Sequence, residues 1–133
     1  MLHAILAVLG LFVVQTLLPP SIRYLLAGPG TAKRLQVALG PRDEQPPLST
    51  TGRRAERALA NMHEALPVFL ALALLHVVRG TDAGSAVQGA WLFLAARVAY
   101  VPAYLSAVSG LRSIIWVASW IGLGLMIAPL LAR

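Results

Sequence analysis

The chain contains no cysteine among its 133 residues. That removes a disulfide framework, a zinc-thiolate site and a cysteine nucleophile together. Charge is scarce too: Asp, Glu, Lys and Arg make up 12% of the residues, against ~25% in a typical soluble domain. Acidic residues are the rarer sign, 5 against 11 Lys and Arg, for a net charge of +6. Such a balance raises nucleic acid as a partner. The basic residues, however, lie mainly between long apolar runs, where they set orientation in a bilayer, so a nucleic-acid partner is not expected. Histidine is limited to His3, His63 and His76, too scattered for metal-ligand spacing, so no metal is expected and these side chains read as helix surface.

What remains is apolar. Hydrophobic residues are 58% of the chain and the mean hydropathy is +0.74, more than a small soluble core can hide. Four runs stand out, over 2–18, 58–78, 86–108 and 114–132, each near the ~20 residues that cross a bilayer. After Pro19-Pro20 the first run continues as "SIRYLLAG", which predicts a kinked helix that goes on to about residue 27. No basic residue precedes this run and no small-x-small site follows it, which argues against a secretory leader. The expectation is one domain, 1–133, all-α and integral to the membrane, with four transmembrane helices over 2–27, 54–79, 86–108 and 112–132 in a left-handed bundle.

Three links join the helices. Residues 29–53 form the long polar one, with a short helix expected at "TAKRLQVAL"; 79–85 and 106–113 are tight. Lys33, Arg34, Arg42, Arg53 and Arg54 lie on the first and Arg112 on the third, whereas Arg79 on the second is opposed by Asp82. Links one and three are therefore expected in the cytoplasm, with both termini on the other side. The Ala, Leu and Arg richness suggests a bacterial inner membrane.

Polar residues inside the runs mark a site. Arg54, Arg57, Asn61 and Glu64 are spaced three, four and three, which makes one helical stripe. Arg97, Tyr100 and Tyr104 form a second stripe on the third helix. An ionised side chain at the centre of a span costs at least ~2.5–3.5 kcal/mol, so both stripes should face partner helices or a wet cavity. Glu64 is the one acidic residue inside an apolar run, and a Glu64–Arg97 ion pair is the economical expectation. Such a pair needs two members; the larger set offers several donors and an acceptor at one end of the bundle, as a zwitterionic ligand with several carboxylates would require. Trp91, Trp116 and Trp120 read as interfacial anchors or packing, and Gly110, Gly122 and Gly124 as a turn and close helix contacts.

"RALANMHE" (57–64) followed by Pro67, and then "ARVAYVPAYLSAVSGLRS" (96–113), resembles the MAPEG family, the membrane-associated proteins in eicosanoid and glutathione metabolism. Its second-helix signature R-x-x-x-N-x-x-E is matched by Arg57, Asn61 and Glu64. The R-x-x-Y-x-x-x-Y pattern of its leukotriene C synthase type is matched by Arg97, Tyr100 and Tyr104, and an arginine opening the fourth helix by Arg112. The resemblance implies a homotrimer that binds glutathione as co-substrate near its cytosolic side, between neighbouring subunits. It implies that Arg57, Asn61, Glu64, Arg97, Tyr100 and Tyr104 hold glutathione and that Arg112 steadies its thiolate. Arg54, Lys33, Arg34 and Ser113 are additional candidates. The implied activity is that of a glutathione transferase or peroxidase acting on apolar small molecules drawn from the bilayer. Ala60 and Ala65 stand where relatives often carry polar or aromatic ligand contacts, and Trp116 where the prostaglandin synthase type has a tyrosine. These departures keep a second reading open: a non-catalytic membrane module that binds lipid or serves a larger membrane complex. A channel or transporter is disfavoured, because no polar stripe runs the full depth of a helix.

Overall fold

The computed structural model describes residues 1–25, 36–40, 47–81, 84–106, 108 and 110–132. Four long helices are present among them: α1 (Leu2–Tyr24), α2 (Thr50–Arg79), α3 (Ser85–Leu105) and α4 (Leu111–Leu131). Each is long and apolar enough to span a membrane. Only 22–44% of each helix's apolar window is buried within the protomer, so most of the apolar surface points outward, as a hydrocarbon solvent allows. Residues 36–39 are helical; the rest of the short helix expected at 31–39 lies outside the described residues.

Local chemistry sets the ends. Ser49 caps α2 by accepting from the Gly52 amide at 3.1 Å, so the helix begins four residues before the expected 54. At its other end Gly80 adopts φ 62°, with Gly80 N–H bonded to Val77 O and Thr81 N–H to His76 O, a Schellman closure that glycine favours. Gly110, at φ 83°, makes the turn into α4. In α1 the helix passes through Pro19 and Pro20 and reaches Tyr24.

The core joins all four helices. Ala4, Ile5 and Val8 of α1 meet Met62, Leu66 and Phe69 of α2, Phe93 of α3, and Leu123 and Met126 of α4. The rings of Phe69 and Phe93 stack at 4.7 Å. Contact between α3 and α4 is the most extensive, and two glycines permit it. A Cβ on Gly122 would fall 2.7 Å from Gly89 O and 2.8 Å from Phe93 N, so the backbones touch as small residues allow in membranes. Gly89 was not singled out by sequence, and Gly124, expected at a close contact, has nothing within 4 Å of its would-be Cβ.

Candidate functional site

The C-terminal end of α3 and the N-terminal ends of α2 and α4 lie together. Arg54 is half-buried and donates to Leu105 O at 3.0 Å, satisfying a carbonyl that the end of α3 leaves free. This contact and the next fix an antiparallel register. Asn61 Oδ1 accepts from Arg97 Nη1 at 2.6 Å. Arg97 is only 1% exposed, and its guanidinium also lies 5.2 Å from the Phe93 ring centroid and 5.7 Å from that of Tyr100. Cation–π contacts reach ~2 kcal/mol when desolvated, which offsets part of the burial of this charge.

The expected Glu64–Arg97 pair is not formed. Glu64 is exposed and makes no ion pair among the described residues. The register explains it: with Arg54 opposite Leu105 and Asn61 opposite Arg97, Glu64 falls nearly a turn beyond Arg97. The polar stripe of α2 is thus divided. Arg54, Arg57 and Asn61 engage α3, while Glu64 is left on the protomer's surface.

Beyond Asn61 an open groove of about 400 Å³ runs between α2, α3 and α4. Asn61, Tyr100, Tyr104, Arg112 and Ser113 line it, with Trp116 and Val117. Tyr104 is flanked by two cations, Arg57 at 5.9 Å and Arg112 at 5.5 Å from its ring, and its ring meets that of Tyr100 at 5.5 Å. Arg97 stands behind Asn61, outside the groove's lining. Ser113 and Val117 continue into an apolar groove of about 390 Å³ along α4, with Ile114, Ala118 and Ile121. Both volumes suit small ligands. Lys33 and Arg34 lie outside the described residues.

Trp116 and Val117 were not assigned to the site from sequence. Their positions follow from Arg112 and Ser113, since residues three and four apart share a helix face. The electrostatics at Arg112 are unusual for a structural helix start. The first turn of α4 holds no acidic residue and no side chain caps it. A cation at the positive end of a helix is disfavoured by ~0.3–1 kcal/mol. An anion placed there would meet both the guanidinium and the free amides of the first turn.

His76, read from sequence as helix surface, is fully buried at the far end of the bundle. Its Nε2 faces Met126 O at 2.7 Å, and its Nδ1 lies 2.9 Å from Thr81 Oγ1 and 3.1 Å from Thr81 O. A carbonyl only accepts, so the ring donates from Nε2 to Met126 O or from Nδ1 to Thr81 O, and the threonine hydroxyl, which can donate or accept, complements either tautomer. The ring ties α2 to α4. No group of three or more metal-ligating side chains occurs among the described residues.

Four apolar helices around a core, with a polar groove at one end, define a multi-pass integral membrane protein. The MAPEG family model matches residues 1–132, and the chain belongs to the MAPEG family. Neither a curated protein nor a solved structure matches it.

Proposed function

We propose that the protein is a glutathione-dependent transferase or peroxidase acting on apolar electrophiles that partition into the bilayer. The observation that carries this reading is the groove's division into two parts. Its polar part gathers Asn61, Tyr100, Tyr104, Arg112 and Ser113, and its apolar part runs along α4 from the same Ser113 and Val117. Arg57, Asn61 and Glu64 would hold the charged ends of glutathione, with Tyr100 and Tyr104 completing the pocket. Arg97 would act on Asn61 from behind. Arg112 would lie beside the sulfur, with Ser113 offering a second donor, and an apolar substrate would approach along α4.

Magnitudes say what Arg112 needs. A free thiol has a pKa near ~8.5, and lowering it by two units takes about 2.7 kcal/mol. A unit charge 4 Å from the sulfur supplies only ~1 kcal/mol in bulk water but ~4 kcal/mol at an effective dielectric constant of 20. Arg112 is exposed on the single protomer, so activation requires that something exclude water from the groove. A homotrimer in which a neighbouring copy covers it meets this need. It would also cover Arg57 and Glu64, which a lone protomer leaves exposed. The Arg-rich first link and Arg112 favour a cytoplasmic position for this end, in a bacterial inner membrane.

The test is direct titration of glutathione into the protein in lipid nanodiscs, with Arg57→Ala and Asn61→Ala beside the parent. Saturable binding that either substitution weakens at least about tenfold, ~1.4 kcal/mol, supports the reading. Absence of binding in the parent overturns it and leaves a non-catalytic membrane module.

A further inference from the structure

In the membrane interior bulk water is absent, so buried polar groups must find partners within the fold or through bound water. Two side chains stand out by this rule. Gln15 of α1 is 4% exposed and Arg97 of α3 is 1% exposed. Among the described residues, Gln15 Oε1 has no hydrogen-bond partner, and neither have Arg97 Nε and Nη2. One is an acceptor without a donor; the others are donors without an acceptor.

The packing brings the two to one level. Phe12 of α1 lies edge-on to His63 of α2 at 5.1 Å, and Arg23 pairs with Glu56 at 3.0 Å. The helices run antiparallel at ~1.5 Å per residue, so the Phe12 contact puts Gln15 level with residue 60 of α2 and the Arg23 contact, made by a longer side chain, level with residue 64. That range includes Asn61, the residue that holds Arg97. The facing is set as well. Gln15 belongs to the buried set of α1, with Ala4, Ile5, Val8, Pro19, Ile22 and Tyr24, and α1 packs on α2 and α3. Within that set Val8 belongs to the apolar core, as Phe93 does on α3. Gln15 and Arg97 are the first polar side chains beyond these two residues in the direction of the groove.

We propose that Gln15 is a positioning residue. Its amide oxygen is joined to the Arg97 guanidinium by one bridging water, which accepts from the guanidinium and donates to the amide oxygen, and so completes a buried polar layer of Gln15, Arg97 and Asn61. Arg97 is thereby held from α1 as well as from α2. Because Asn61 is the layer's member on the groove wall, α1 tunes a site it does not line. The link to the groove rests on the function proposed above; the coupling itself does not.

Reversible unfolding in mixed micelles, without glutathione, tests the coupling. Gln15→Met removes the acceptor, whereas Gln15→Glu exchanges it for a carboxylate. If Gln15 meets Arg97, the carboxylate gains a counterion and Gln15→Glu retains a folded-to-unfolded ratio at least tenfold above that of Gln15→Met. In an Arg97→Met background that order reverses, because the same carboxylate is then buried unpaired. If Arg97→Met does not accumulate, the order of the two Gln15 variants decides alone. A Gln15→Glu variant no more stable than Gln15→Met overturns the proposal, as do additive effects in the two backgrounds. Either outcome holds whether or not the parent protein binds glutathione, so failure here is distinct from failure of the functional reading.

Discussion

Replacing Asn61 by leucine should be among the most damaging single changes in the chain, although Asn61 carries no charge. Its Oδ1 accepts from Arg97 Nη1 at 2.6 Å, the one direct side-chain hydrogen bond of that guanidinium among the described residues. A hydrogen bond to a charged group is worth ~1.5–3 kcal/mol, and stranding a buried charge costs ~3–5 kcal/mol. Asn61→Leu should therefore lower unfolding stability by about 3 kcal/mol, within that same range for a stranded charge. Asn61→Asp keeps the acceptor and adds a counterion, so it should recover most of the loss. Glu64→Gln, which alters a carboxylate that makes no ion pair with Arg97 within the protomer, should cost clearly less than Asn61→Leu. Denaturant titration in mixed micelles, followed by far-UV circular dichroism without ligand, measures all three. The reasoning fails if Glu64→Gln costs as much as Asn61→Leu, for then Arg97 depends on the carboxylate and not on the amide. It fails equally if Asn61→Asp is no better than Asn61→Leu.

Other perturbations probe separate joints. Gly122→Val would drive a side chain into Gly89 O and the Phe93 backbone; it should cost at least the ~1–3 kcal/mol of an overpacked core, read as a lowered unfolding temperature, while Gly124→Ala, facing open space, should not. His76→Leu removes the ring that links Thr81, just past α2, to Met126 O of α4; ~0.5–1.5 kcal/mol should be lost for each hydrogen bond removed, and faster amide exchange at the 76–81 end of α2 would register it. Arg54→Ala removes a bond to a helix-end carbonyl that solvent can replace, so it should cost only ~1 kcal/mol in the same unfolding assay.

The spans were legible because the bilayer imposes both length and composition, and a run such as 114–132 has few other readings. The site's residues were legible as stripes, since three-and-four spacing fixes a face. What a stripe meets was not. Glu64 and Asn61 lie on one face less than a turn apart, and only the register of α2 against α3 decides that Asn61 takes Arg97. That register is set by the packing of Phe69 on Phe93 and by the end contact of Arg54 with Leu105, neither of which a single sequence reveals. His76 was misread for a related reason: two of the oxygens around it are main-chain carbonyls, of Thr81 and Met126, and carbonyls leave no mark in a sequence. Gly89 was missed because one small residue in an Ala-rich helix looks ordinary until Gly122 is placed across from it. Trp116 passed as an anchor until the turn at Gly110 set the face that α4 presents to the groove.

Arg112, at the amino end of α4, is proposed to hold a thiolate in the groove. The most direct test is the ultraviolet absorbance of the thiolate of bound glutathione, titrated with pH in the parent protein and in Arg112→Ala. A thiolate is expected in the parent at a pH well below the ~8.5 of a free thiol, and in Arg112→Ala a midpoint returned toward that value with glutathione still bound. An identical midpoint in the two proteins, or bound glutathione that stays a thiol in the parent, would contradict it.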